Sequence, residues 1–213
     1  MNILWLWAAA LFIYLGFLGW YQNWQGPLTP EEVEHYMSRL TEGTPNGTTD
    51  PAVLRRFLEK DDGREFFMLN LVKLHEGKVP DPQTGELKSS QEILSGYTSA
   101  FFKALFKRAG HPAIAARIVG GHVDSWNVAE NPGWTIMGWM RYRSRRDAME
   151  LVTDPAFKDG HMFKVAAIPA TFSVPTSPMI SLMAGPRIWA ALGLGLIAAL
   201  GSMALLLLRQ PGT

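Results

Sequence analysis

The chain has 213 residues, a formal net charge of +1 and no cysteine. That balance gives no long-range pull toward nucleic acid or an acidic partner, and it leaves no disulfide framework to build on. The hydrophobic share of 47% exceeds what one small soluble domain needs, and the excess lies at the two ends.

The first element is "MNILWLWAAALFIYLGFLGWYQNW", residues 1–24. Ile3 to Trp20 is a nearly unbroken apolar run, and no charged side chain appears before Glu31. As a helix this run is roughly 27 Å long, close to the hydrocarbon core of a bilayer. Trp5, Trp7, Trp20, Tyr21 and Trp24 cluster near its ends, as interfacial aromatics do. A cleaved signal peptide needs a basic start and small residues after the core. Here the first cation is Arg39, and Ala8-Ala9-Ala10 lies inside the run, which favours an uncleaved transmembrane helix.

Residues 25–64 read as a helical linker region. In "GPLTPEEVEHYMSRL", Thr29 is the N-cap, Pro30 opens the first turn, and Glu31 and Glu32 sit at the positive end of the dipole. "EGTPNGTTD" is a turn-rich stretch. A second helix, "DPAVLRRFLEKDDG", is capped by Asp50, carries Pro51 at its first position and ends before Gly63. Its apolar face is Val53, Leu54, Phe57 and Leu58.

From 65 to 180 the pattern predicts a single α+β domain. Strand "EFFMLNLVKLH" is followed by a polar loop and then by the amphipathic helix "SQEILSGYTSAFFKALFKRAG". Strands "AIAARIVGGHV" and "WTIMGWMRY" follow, separated by the turn "ENPG". A helix over 144–168, interrupted at Asp154-Pro155, leads to the last strand, "ATFSV". The order β-α-β-β-α-β is the ferredoxin-like split unit, an antiparallel sheet with both helices on one face.

The closing run, "RIWAALGLGLIAALGSMALLLLRQPGT", places a second transmembrane helix within 186–209. It is uncharged from Ile188 to Leu208, and Gly193, Gly195, Ala198, Ala199, Gly201 and Ser202 recur at helical spacing. Such small faces let helices approach closely in lipid. Two spans put both termini on one side and the domain on the other. Glu31, Glu32 and Glu34 are the first charges past the first span, whereas the tail carries Arg209. The positive-inside rule then predicts cytoplasmic termini and a periplasmic soluble domain.

Four motifs together, "FFMLNLVKL", a helix with a central Tyr97, "IVGGHV" and "RYRSRRDAMELVTDPAF", resemble a small family of uncharacterised ferredoxin-like domains in the dimeric α+β barrel superfamily. The match covers about 65 to 175. Arg143 stands where that family has proline, and the two apolar ends lie outside its pattern. The resemblance implies a homodimer in which the bare sheet faces of two copies close a barrel. An open apolar face of that size has to be buried.

Strand alternation puts Met68, Asn70, Val72 and Leu74 on one face and Phe67, Leu69, Leu71 and Lys73 on the other. Giving the richer face to the helices aims Asn70 into the cavity. There it marks either a polar ligand pocket or a local hydrogen-bond clasp. His122, Trp139 and Arg141 complete the candidate ligand-binding set, with Arg141 as the group for an anion. Arg141, Arg143, Arg145 and Arg146 also read as a strand-end cluster paired with Asp147 and Glu150. His111 and His161 are isolated, and without an H-x-x-x-H or H-x-H pair no metal site is expected. The sequence names no cofactor and no catalytic residue.

Two function classes follow. The first is a membrane-anchored accessory or scaffold protein that dimerises or docks beside other membrane-protein subunits. The second is a small-molecule-binding domain or a cofactor-independent oxygenase or isomerase of the wider superfamily.

Overall fold

The structure, a computed structural model, describes residues 2–43 and 50–208. Most of the turn-rich stretch before Asp50, and Arg209 with its charge, lie outside the described residues. The chain divides into two compact units, Gln25–Pro178 and a second one made of Met1–Trp24 with Met179–Thr213.

The second unit is a pair of helices, α1 (Ile3–Tyr21) and α7 (Pro186–Leu207). Both are long and apolar enough to cross a membrane, and almost nothing of either is buried. They run antiparallel. Near one end a methyl group on Gly201 would sit 3.1 Å from Leu6 Cδ1. At the other, Arg187 donates to Gln22 Oε1 at 3.2 Å and lies 5.1 Å from the Tyr21 ring centre. The small face of α7 is thus used in part within the chain, at Ala198 and Gly201.

The larger unit holds a four-stranded antiparallel sheet in the order β4-β5-β1-β6, with β1 Phe66–Lys73, β4 His111–Arg117, β5 Ile136–Tyr142 and β6 Ala170–Thr176. This is the ferredoxin-like strand order, with helix α4 (Ser90–Lys107) and the pair α5 (Arg145–Val152) and α6 (Pro155–Ala167) as the crossovers. Ser89 and Glu92 form a reciprocal capping box at the start of α4. The polar loop expected after β1 contains a small hairpin, β2 (Lys78–Pro80) with β3 (Leu87–Ser89). Asp81 builds its turn, accepting from the Gln83 and Thr84 amides at 2.9 and 3.0 Å and from Lys88 Nζ at 2.9 Å. The strand expected over 113–123 ends at Arg117, and His122 falls in the long connection to β5.

Helices α2 (Pro30–Gly43) and α3 (Pro51–Glu59) pack into the same core. Val33, Tyr36, Met37 and Leu58 meet Phe66, Phe101, Leu105, Tyr142, Met149 and Leu151 there. The Phe66 and Tyr142 rings stack 5.2 Å apart. The faces of the sheet are therefore reversed from the sequence expectation. Phe66 and Met68 of β1, with Met140 and Tyr142 of β5, lie under the helices, and Asn70 shares their face. The richer row, Phe67, Leu69 and Leu71, is the uncovered one.

Arg146 locks α2 to α5. Its guanidinium donates to both oxygens of Glu32 at 2.7 and 2.8 Å and to the carbonyls of Gly26 and Pro27. The Arg146 hydrogen bonds hold the Glu32 carboxyl down at about 2. A carboxyl with a depressed folded-state value adds stability above its unfolded value of about 4.3 and loses it as pH falls toward 2. The full shift corresponds to about 3 kcal/mol, reduced by solvent screening because the side chain is 33% exposed. In acid melts, Glu32→Gln is expected to be less stable than the parent at pH 6 and to converge with it near pH 2. Parallel pH profiles for the two proteins would refute this linkage.

Candidate functional site

The uncovered sheet face is built by all four strands. Register places Leu69 between Trp139 of β5 and Val174 of β6, and Leu71 between Met137 and Phe172. Ile114 of β4 lies beyond Trp139. Phe172 and Val174 are each 42% exposed, a large value for apolar strand residues. The Phe67 and Trp139 rings lie 5.1 Å apart, and Trp134 meets Phe172 edge-on at 5.2 Å. The polar tip of Trp139 is satisfied, with Nε1 donating to Thr176 Oγ1 at 2.7 Å, and Thr176 in turn donates to the Phe67 carbonyl. The result is a continuous apolar and aromatic platform with its hydrogen bonds internally closed.

Arg141 lies at one end of this face, opposite Phe67 and His111. Only 1% of it is exposed. Its Nε and Nη2 donate to Glu65 Oε2 at 2.9 and 2.6 Å, and Nη1 donates to the Ala109 carbonyl at 2.6 Å. Ala109 takes a left-handed φ of 55° at the end of α4, which turns that carbonyl toward the guanidinium. Burial, and secondarily the Arg141 charge, push the neighbouring His111 imidazole below its ordinary range. The anion that Arg141 holds is thus one of the chain's own carboxylates.

Asn70 sits on the opposite, helix-covered side. Its Oδ1 accepts from Ser173 Oγ at 2.6 Å, and its Nδ2 donates to the carbonyls of Met68 at 3.0 Å and Gly138 at 3.4 Å. These bonds join β6, β1 and β5. His122, Asp124 and Trp126 lie in the exposed connection 118–135, where Val123 is 100% and Trp126 85% exposed. Of the four candidate residues, the structure brings Trp139 and Arg141 to one face and separates Asn70 and His122 from them.

Among the described residues no three of His, Asp and Glu converge in the manner of a metal site. On the helix side, Lys164 places Nζ 5.6 Å from the Tyr97 ring centre, and burial pushes its amine below the ordinary lysine range. This contact fastens α6 to α4. Each arginine of the cluster takes its own partner: Arg143 pairs with Asp147, Arg145 with Asp61 and Arg146 with Glu32, while Glu150 lies beside Arg108. The expected shared pairing with Asp147 and Glu150 is met only by Arg143. The residues missed as functional candidates are Phe67, Leu69, Leu71, Phe172 and Val174. The signal lies in their apolar alternation, which for the β1 row Phe67, Leu69 and Leu71 reads as the helix-covered face and for Phe172 and Val174 names no face.

No protein-family model matches the chain, and no curated protein matches it. Among solved structures, a Rhodopseudomonas palustris protein of unknown function is similar at 18% identity, with a TM-score of 0.51 over 64% of this chain and 100% of that one. A protein from Arabidopsis thaliana aligns at 14% identity with a TM-score of 0.35, over 55% of this chain and 99% of that one. A putative antibiotic biosynthesis monooxygenase from Bacteroides thetaiotaomicron aligns at 11% identity with a TM-score of 0.36, over 57% of this chain and 96% of that one. The first of these similarities supports the α+β, ferredoxin-like fold of the larger unit and nothing about its activity.

Asn70→Leu removes three hydrogen bonds, two of which cross from β1 to β5 and β6. The expected loss is on the order of 1–3 kcal/mol in thermal unfolding. An unchanged melting temperature would show that these bonds do not hold the sheet together.

Proposed function

We propose that the chain is a membrane-anchored accessory protein whose ferredoxin-like domain pairs through the open face of its sheet with a second copy of itself. A subunit of a membrane complex is the other partner such a face fits. One observation carries this reading: the platform of Phe67, Leu69, Leu71, Trp139, Phe172 and Val174 is left bare by every helix of its own unit. An apolar sheet face of that extent is unstable against water and is covered in a functional assembly. Helices α2 and α3 cannot cover it, because they pack against Phe66 and Tyr142 on the other side. The exposed, apolar surfaces of α1 and α7, charged only at Arg187 in the first turn of α7, support a lipid-embedded pair.

A second reading, a small-molecule-binding or enzyme domain, is favoured by the polar Asn70–Ser173 pair on a sheet otherwise rich in apolar residues. An Asn70→Leu protein that keeps its melting temperature but loses a retained ligand would favour that reading over the first.

Leu69→Glu tests the pairing. It puts a carboxylate at the centre of the platform, where desolvation without a partner costs several kcal/mol. Light scattering of the full chain in detergent is expected to give a dimer for the parent and a monomer for the variant, with the variant still folded by circular dichroism. A parent that is monomeric without a partner, or a variant that stays dimeric, would reject pairing through this face.

The cysteine-free chain makes the orientation directly testable. In intact bacterial cells, Gln83→Cys is expected to react with an impermeant maleimide, whereas Thr213→Cys is expected to react only after lysis. Equal labelling of both would sink the two-span arrangement. The reverse pattern would place the domain in the cytoplasm.

A further inference from the structure

The connection from β4 to β5 runs from 118 to 135 and contains no helix or strand. Connections longer than about 12–15 residues without structure of their own are uncommon in a compact domain. Its two ends are fastened together. The Ile118 amide donates to the Thr135 carbonyl at 2.9 Å, and the Thr135 amide and hydroxyl donate to the Val72 carbonyl at 2.9 and 3.0 Å. Asn131 Oδ1 accepts from the amides of Gly133 and Trp134 at 2.8 and 3.4 Å and shapes the return leg. That leg lies against the open face of the sheet. A methyl group on Gly133 would stand 3.8 Å from Lys73 Nζ, and Lys73 continues the row of Phe67, Leu69 and Leu71. Trp134 meets Phe172 edge-on. The connection therefore leaves and rejoins the unit at the rim of the apolar platform.

Between those ends every residue from 119 to 130 is exposed. Four of them are large and apolar: Val119 is 95%, Val123 100%, Trp126 85% and Val128 63% exposed. Single exposed apolar side chains are ordinary on a protein surface, but four so close along the chain make a patch that calls for a cover. A tryptophan alone carries roughly 150–250 Å² of such surface.

The size of the platform identifies the cover. A stable interface takes about 20–30 residues from each side. The open face presents four positions on β1, four on β6 and three each on β5 and β4, and one of these, Arg141, is sealed from water. By itself the face falls short of a standard interface. The exposed run 119–130, joined to it at Trp134, brings the total into that range.

We infer that residues 119–128 form an arm that packs on a second copy of the chain, with Val123 and Trp126 as its anchors. The arm presupposes the sheet-to-sheet pairing proposed above and adds to it a separate patch. In a pair related by a twofold axis each arm contact occurs twice, so a single substitution removes it on both sides.

The test uses the purified full chain in detergent, with light and heavy-nitrogen copies mixed and allowed to exchange. With Val123 replaced by the photo-crosslinker benzoylphenylalanine, illumination is expected to join the arm of a light copy to a heavy copy, read by mass spectrometry of the cross-linked peptides. Val123→Ser with Trp126→Ser is expected to raise the dissociation constant of the dimer by about 30-fold or more, measured by energy transfer between labelled copies on dilution. Both variants are expected to stay folded by circular dichroism, because these side chains touch nothing in their own copy that the sheet needs. Trp126→Phe, which keeps an aromatic ring, is expected to retain most of the affinity. Cross-links confined to one chain would show the segment closing over its own sheet and would overturn the arm. A double variant that dimerises as tightly as the parent would overturn it as well. In either case a parent dimer that Leu69→Glu dissolves leaves the sheet-to-sheet pairing standing. A parent that is monomeric at every concentration rejects the pairing and the arm together.

Discussion

A run of arginines at the junction of β5 and α5 organises the larger unit. Arg141 reaches Glu65 ahead of β1, Arg143 reaches Asp147 within α5, Arg145 reaches Asp61 after α3, and Arg146 reaches Glu32 on α2. Each cation fixes a different element against the same corner. The apolar core alone would not do this, because burying Val33, Tyr36 or Leu58 is rewarded in many orientations. A guanidinium that is nearly sealed from water is different. Arg141 is stable only when its donors meet acceptors at the right angles, and removing one acceptor leaves a buried charge. The corner therefore specifies which helices meet the sheet, and the core supplies most of the stabilisation.

That corner also explains why the two faces of the sheet differ. With α2, α3, α4 and α5 all drawn to the Phe66 and Tyr142 side, no element of the unit remains for the Leu69 and Trp139 side. The asymmetry is a property of the connections as much as of the strands. Both crossovers of this strand order return on one face, and the added helices α2 and α3 join the same layer.

Much of this was legible locally. Thr29, Asp50 and the Asp154-Pro155 break mark element ends through hydrogen bonds spanning two to four residues, and the structure uses all three. The strand order follows from the alternation of strand and helix patterns. What was not legible depends on distant partners. Arg146 and Glu32 are 114 positions apart, and nothing near either predicts the other. The two faces of β1 carry three apolar residues each, but Phe67, Leu69 and Leu71 run unbroken, whereas Asn70 interrupts Phe66, Met68 and Val72 on the covered side. An unbroken apolar row reports that a face needs covering and is silent on whether the cover is internal. The end of β4 at Arg117 was hidden for a related reason. Ile118 and Val119 have strand-like side chains, but after the Ile118 amide bonds the Thr135 carbonyl the chain leaves the ladder.

The central position of β1 has a consequence for how the molecule is made. Its neighbours are β5 and β6, and Asn70 bonds to Ser173 across 103 positions. Synthesis from the amino end therefore presents β1 long before either neighbour exists, with Phe67, Leu69 and Leu71 on one side and two open edges. Pairing so remote along the chain is slow to form and leaves apolar strands exposed while it waits. β6, which completes the sheet, is followed almost at once by the apolar α7. Sheet closure by β6 and emergence of the last helix thus fall in the same short interval of synthesis.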